Sequence, residues 1–195
     1  MILNIPNSLT LLRIALTPVF IIFLFYDHPY ANLWALIIFL IAGITDALDG
    51  YYARKHNQIT DHGRFLDPLA DKILVLSALI SFAVLEIIPY WMVGLIVFRD
   101  LFITGLRVAL DNKGFQMVTS NIAKAKTSLQ ILIILSILIY LGSTQLPFNW
   151  LAKYIQLIRE YELIYYLTLL ITVFTVYTGL SYIYDNRSVI RQYLS

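Results

Sequence analysis

A chain of 195 residues that is 59% hydrophobic and 13% charged lacks the polar surface a water-soluble domain of this size needs, so its solvent should be a bilayer. Its net charge of +2 decides nothing alone, and no nucleic-acid partner is expected. The absence of cysteine excludes disulfides and thiolate metal sites, and leaves open a hard cation held by carboxylates.

The first 26 residues are apolar but do not read as a cleaved signal. Arg13 interrupts them, no positive side chain precedes them, and no small-residue cleavage site follows. Residues 4–8, with Pro6, are expected to form a short interfacial segment before a helix starts near Ser8 or Thr10. Six apolar runs then follow, at 9–26, 33–54, 65–85, 90–111, 122–142 and 163–184. Each is close to the roughly 20 residues that cross a bilayer as a helix. None shows the period-two alternation of a barrel strand. The expectation is a single all-α, polytopic domain over 1–195 with six transmembrane helices. Residues 145–162 are too polar to span, and the sequence leaves them as an interfacial helix or a loop.

Lys and Arg gather in alternate connections. Arg54, Lys55 and Arg64 follow the second run; Arg107, Lys113, Lys124 and Lys126 surround the connection after the fourth; Arg187 and Arg191 lie in the tail. The connections after runs one and three have none, and Lys153 and Arg159 sit beside Glu160 and Glu162. Both termini should therefore face the cytoplasm. Tyr and Trp at the run ends, Tyr182 and Tyr184 among them, read as interfacial belts.

The chemistry concentrates around the second connection. Asp46 and Asp49 are three apart, at the expected end of the second helix; Asp67 and Asp71 are four apart, at the expected start of the third. Such spacings put each pair on one helix face. A connection of about ten residues brings both pairs to the same cytoplasmic side. Four acids at membrane depth need a counter-charge, and oxygen-only ligands favour Mg²⁺, Mn²⁺ or Ca²⁺ over zinc. Two divalent ions bridged by carboxylates would clamp a diphosphate. Gly50 and Ala53 leave room for a nucleotide beside Asp46 and Asp49, Gly63 offers close approach where the chain enters the third helix, and Pro68 fits a first helical turn. Solvated acids at helix ends are the plainer reading. It suits Asp67 alone, but not Asp46 and Asp49 at a helix C-terminus, where the dipole disfavours anions.

Asp46, Asp49, Gly50, Ala53, Arg54, Gly63, Asp67 and Asp71 stand at the spacings of the CDP-alcohol phosphatidyltransferase signature, which the chain resembles without departure. The stretches around Asn7 and Arg13, around Arg99 to Arg107 and around Lys124 to Lys126 resemble the bacterial branch that uses sn-glycerol 3-phosphate. Two mild departures occur: Asp100 stands where Glu is usual, and Ala123 where Gly is frequent. The resemblance implies that Asp46, Asp49 and Asp67 hold one Mg²⁺ or Mn²⁺ ion. Asp71, with the others, would help hold a second ion and act as general base. Asn7, Gly50, Ala53, Arg54 and Gly63 would line the donor site. The implied reaction moves the phosphatidyl group of CDP-diacylglycerol to sn-glycerol 3-phosphate, giving phosphatidylglycerol phosphate and CMP. The implied setting is a homodimer in the bacterial inner membrane, in contact with membrane lipids, its site facing the cytoplasm.

A buried Arg needs an anion, so Arg99, with Arg107, Lys124 and Lys126, is expected to bind the acceptor phosphate. The alternative for Arg99 is an ion pair with Asp100 or snorkelling to head groups. Lys124 and Lys126 point to different sides of a helix, and Lys126 is favoured for the pocket. Lys72 should leave the Asp71 face and snorkel. His28, His56 and His62 lie in connections and read as solvated. Competing functions are the same transfer to phosphatidylglycerol, inositol phosphate or serine, or a cation-coupled transporter. The basic pocket argues against serine. Acids gathered at one membrane face, rather than at the midplane, argue against a transporter.

Overall fold

In an apolar solvent only a helix satisfies every backbone N–H and C=O within its own segment, and each apolar run becomes one. The computed structural model describes the backbone of residues 5–56, 61–111, 113–114, 121–143 and 149–194. It describes the side chains of 11–45, 72–111, 113–114, 125–143, 153 and 155–193. Eight helices and no strand occur among the described residues: α1 (Ile5–Phe25), α2 (Ala31–His56), α3 (Asp61–Val84), α4 (Tyr90–Asp111), α5 (Asn121–Ser143), α6 (Asn149–Glu160), α7 (Leu163–Asp185) and α8 (Arg187–Leu194).

Several ends differ from expectation. α1 starts at Ile5, so residues 5–8 are helical and form no separate interfacial segment. Pro6 stands in its first turn, where the missing N–H has no intrahelical partner to lose. A second proline, Pro18, lies inside α1, one residue after Thr17, whose hydroxyl donates to the Arg13 carbonyl at 3.0 Å. α2 runs on through Arg54 to His56, so Asp46 and Asp49 lie inside it and not at its end. α3 starts at Asp61, an acid that suits the positive end of a helix, so Gly63, Asp67 and Pro68 also lie inside a helix. The unsettled segment after α5 contains α6. Its polar and apolar residues fall on opposite sides, as in a helix that lies along a surface. The tail forms α8, which short apolar-run reasoning does not find.

The core is built from small residues that let helices approach and large ones that fill the remaining space. Ala35, Ala42 and Ala78 are fully buried, beside Phe20, Leu79 and Phe82. Phe20 of α1 meets Phe39 of α2 with ring centroids 5.7 Å apart. α1 packs on α2 and α3, α2 on α5, and α7 lies against both α4 and α5. The outer faces carry exposed Ile22, Phe98, Leu170 and Leu180, which water would not tolerate at this density. Among the described residues, Ala125–Ser143 and Leu163–Asp185 are long and apolar enough to cross a membrane. These two meet the expectation of spanning helices. α4 is of similar length but carries Arg99, Asp100, Arg107 and Asp111.

The end of the bundle away from α2's acids is closed by two strained turns. Glu86, between α3 and α4, has φ 57°, and Glu162, before α7, has φ 47°. A left-handed backbone costs an ordinary L residue roughly 1–2 kcal/mol. A cavity of about 580 Å³ lies between these turns, lined by both glutamates, Arg159 and Tyr90 among others.

Candidate active site

α2 carries Asp46, Asp49, Gly50, Ala53 and Arg54; α3 carries Gly63, Asp67 and Asp71; α1 carries Asn7 and α5 carries Lys124. The side chains of all ten lie outside the described residues, as do those of His56 and His62. No group of three or more metal-binding side chains occurs among the described residues. The backbone keeps the acids on two successive helices at their three- and four-residue spacings.

The first described side chain after Asp71 is Lys72, and it leads to the polar centre of the bundle. Its Nζ donates to the backbone carbonyl of Asp100, at 3.2 Å. Lys72 therefore turns inward to α4 and does not snorkel, because α3 and α4 pack side by side and bring that carbonyl within its reach. Asp100 is 2% exposed. Its Oδ1 accepts from Lys126 Nζ and, at 3.1 Å, from Arg99 Nη1; its Oδ2 accepts from Gln130 Nε2 at 3.3 Å. The Thr104 hydroxyl donates to the same backbone carbonyl at 2.7 Å. One residue thus gathers cations from α3, α4 and α5. Lys126 and Gln130 can both reach it because residues four apart share a helix face.

α7 completes the arrangement. Arg99 Nη2 donates to Thr178 Oγ1 at 3.4 Å, and its Nε is buried with no partner. Gly179 makes this contact possible. A Cβ there would stand 2.8 Å from Arg99 Cγ and 3.2 Å from its Nε, so any side chain would push the guanidinium away. One turn further on, Arg107 donates through Nε and Nη2 to the Tyr182 hydroxyl, at 3.3 and 3.2 Å, and lies 5.7 Å from the ring centre. Tyr182 is 4% exposed. It is interior and not part of the interfacial belt, because it serves a cation on α4. Tyr90, Trp91, Tyr166 and Tyr184 are exposed as a belt requires.

Arg99 and Arg107 of α4 therefore both reach α7, and Lys126 of α5 meets Arg99 at Asp100. Arg99 and Lys126 share Asp100, and Arg107 sits on Tyr182. An Arg offers five N–H donors and a Lys three, so these contacts leave donors for a further anion. A buried donor left unmade, such as Arg99 Nε, costs roughly 1–3 kcal/mol, and an oxyanion beside it would remove that cost. His28 is exposed, as expected of a residue in a connection, and its Nδ1 accepts from the Tyr30 N–H at 3.3 Å.

Sequence reasoning missed Asp100 as a hub, together with Gln130, Thr178, Gly179 and the interior place of Tyr182. Two signals were available. Gln130 follows Lys126 by one helical turn, and Thr168, Thr172, Thr175 and Thr178 mark a polar stripe along α7, all buried.

The family model for CDP-alcohol phosphatidyltransferase matches residues 3–177. The chain belongs to the CDP-alcohol phosphatidyltransferase family. A protein of Bacillus subtilis (strain 168) named CDP-diacylglycerol–glycerol-3-phosphate 3-phosphatidyltransferase is 38% identical, over 82% of this chain and 92% of its own. One of the same name from Rickettsia bellii is 37% identical over the same shares. A probable phosphatidylglycerophosphate synthase of Mycobacterium tuberculosis is 45% identical over 58% of this chain and 56% of its own. The four acids and Arg99, Asp100, Arg107, Lys124 and Lys126 fall inside the stretch matched as CDP-alcohol phosphatidyltransferase, whereas Thr178, Gly179 and Tyr182 follow it.

Proposed function

We propose that this chain transfers the phosphatidyl group of CDP-diacylglycerol to sn-glycerol 3-phosphate, releasing CMP. The likeness to transferases of that name over most of both chains carries the reading. In the transfer, an acceptor oxygen bonds to the lipid-bearing phosphorus while the bond from that phosphorus to CMP breaks, its electron pair leaving with CMP. A purified sample given CDP-diacylglycerol and one labelled acceptor at a time is expected to make lipid product from glycerol 3-phosphate. Product from phosphatidylglycerol, inositol phosphate or serine instead would reassign the acceptor.

The donor set of Asp46, Asp49, Asp67 and Asp71 is all oxygen, which fits Mg²⁺ or Mn²⁺, and we assign two such ions to it. Held by these acids, such ions would supply positive charge for the donor diphosphate and for departing CMP. The Asp71 carboxylate takes the proton of the attacking hydroxyl. Asn7, Gly50, Ala53, Arg54 and Gly63 line the donor site.

Arg99, Arg107, Lys124 and Lys126 receive the acceptor phosphate. The donors that Arg99, Arg107 and Lys126 keep beyond their contacts with Asp100, Thr178 and Tyr182 support this reading. Charge-assisted contacts to phosphate are about twice as strong as neutral ones. Arg107→Ala should therefore raise KM for glycerol 3-phosphate at least about tenfold while KM for CDP-diacylglycerol stays near the parent value. Equal losses for both substrates would mean that Arg107 serves only to hold Tyr182.

The setting we assign is the bacterial inner membrane, crossed six times by α1–α5 and α7, with the acids on the cytoplasmic side. The large exposed apolar surface also suits a homodimer. Crosslinking in lipid nanodiscs should give a band at twice the monomer mass; monomer alone at every crosslinker concentration would rule the dimer out.

A further inference from the structure

The acceptor-site cations need something to hold them. Lys126 and the Arg99 side chain are nearly enclosed, and each touches the carboxylate of Asp100, so their charges lie within two hydrogen bonds of each other. Lys72 meets the same residue at its backbone. With no shared anion these groups would repel and splay. Asp100 itself is fixed: Gln130 holds its second oxygen, Lys72 and Thr104 bond its carbonyl, and it is 2% exposed. It cannot swing away when another anion arrives. It also spends only one donor each from Lys126 and Arg99, and leaves the remaining donors to point elsewhere.

We propose that Asp100 is a positioning residue for acceptor binding: it locks Lys126 and Arg99 in the arrangement that receives the phosphate, and Gln130 locks Asp100 in turn. The proposal rests on the assignment of Arg99, Arg107 and Lys126 to the acceptor phosphate. Asp100 never meets the substrate. Its contact with Lys72 also ties α4 to α3 at the residue directly after Asp71, so the acceptor side and the acid side are held in one register.

The test compares Asp100→Asn, Asp100→Glu and Gln130→Met with the parent enzyme in nanodiscs, reading KM for glycerol 3-phosphate and for CDP-diacylglycerol separately, with Arg107→Ala as the reference for the site itself. Misplacing binding groups by about an ångström can cost about 100-fold, so Asp100→Asn should raise the acceptor KM roughly 10- to 100-fold. The donor KM should change by less than about twofold in the same variant. Asp100→Glu keeps the charge and should recover most of the acceptor affinity. Gln130→Met keeps the side-chain length but removes the donor to Oδ2, and should give a smaller rise of the same kind. That variant decides the matter if Asp100→Asn does not fold.

An acceptor KM that stays level or falls in both Asp100→Asn and Gln130→Met, while Arg107→Ala raises it, overturns the positioning role and makes Asp100 a mere competitor for the cations. If Arg107→Ala and Asp100→Asn weaken both substrates alike, the acceptor-site assignment itself fails, and this inference with it.

Discussion

Asp67→Asn is expected to abolish transfer while leaving the protein folded. The substitution removes one charged oxygen from a set of four acids carried on α2 and α3. Amides are weak ligands for hard dications compared with carboxylates, so the loss should exceed the roughly 10- to 100-fold typical of deleting an outer-shell partner. Folding should survive, because fewer negative charges in a cluster at membrane depth means less repulsion when no cation is bound. Elution volume and thermal midpoint in detergent without added metal should match the parent, while binding of Mn²⁺, read by electron paramagnetic resonance, weakens. Turnover that persists at saturating Mg²⁺ or Mn²⁺ would remove Asp67 from the metal site.

Asp71→Asn separates two roles that a carboxylate can combine. A general base must reach the proton of the attacking hydroxyl and be ionised at the working pH. The amide keeps an oxygen that can face a cation but cannot accept a proton. The variant should still bind CDP-diacylglycerol, yet lose turnover by roughly 10²–10⁴, the usual contribution of a positioned base. Calorimetry of donor binding in nanodiscs and a CMP-release assay settle the point together. Loss of donor binding in step with turnover would make Asp71 chiefly a metal ligand. Survival of turnover would hand the proton to another group.

The two acids differ in what surrounds them along the chain. Asp71 is followed by Lys72, whose side chain reaches the Asp100 carbonyl. A change at position 71 is therefore made beside a fixed contact. For that reason the amide variant, which keeps the size of the side chain, is a cleaner probe than a larger substitution.

Much of the fold was legible because apolar runs in lipid have one available structure. α4 was expected at 90–111 and is found as Tyr90–Asp111; α7 was expected at 163–184 and ends one residue later. Errors came where polar residues continue a helix. Asp46, Asp49, Gly63 and Pro68 look like punctuation in a linear reading, yet α2 continues past the first two and α3 includes the other two. α8 escaped because eight residues are too few for apolar periodicity to stand out.

The candidate site divides in the same way. The four acids stand out by spacing alone, and each pair lies within one helix, with side chains outside the described residues. Arg99 and Lys126 were expected at a phosphate pocket, and the structure joins both to Asp100, the ion pair that was the alternative for Arg99. Pairing of Asp100 with Arg99 is a local matter. Its pairing with Lys126 and Gln130 depends on how α5 is rotated against α4, and the room for Arg99 depends on a glycine in α7. Such choices are made by packing among three helices, and no linear period records them.

The charges on α4 also bear on how the protein is made. On its own this helix would present Arg99, Asp100 and Arg107 to hydrocarbon, and each would oppose partition from the translocation machinery into lipid. Their partners are Lys72 from the helix before, Lys126 from the helix after, and the Tyr182 hydroxyl from α7, which is made after both. The charged partner of Asp100 on α5 exists only once the chain after α4 has been made. The contact of Arg107 with Tyr182 comes later still, because α7 follows α5 in the chain.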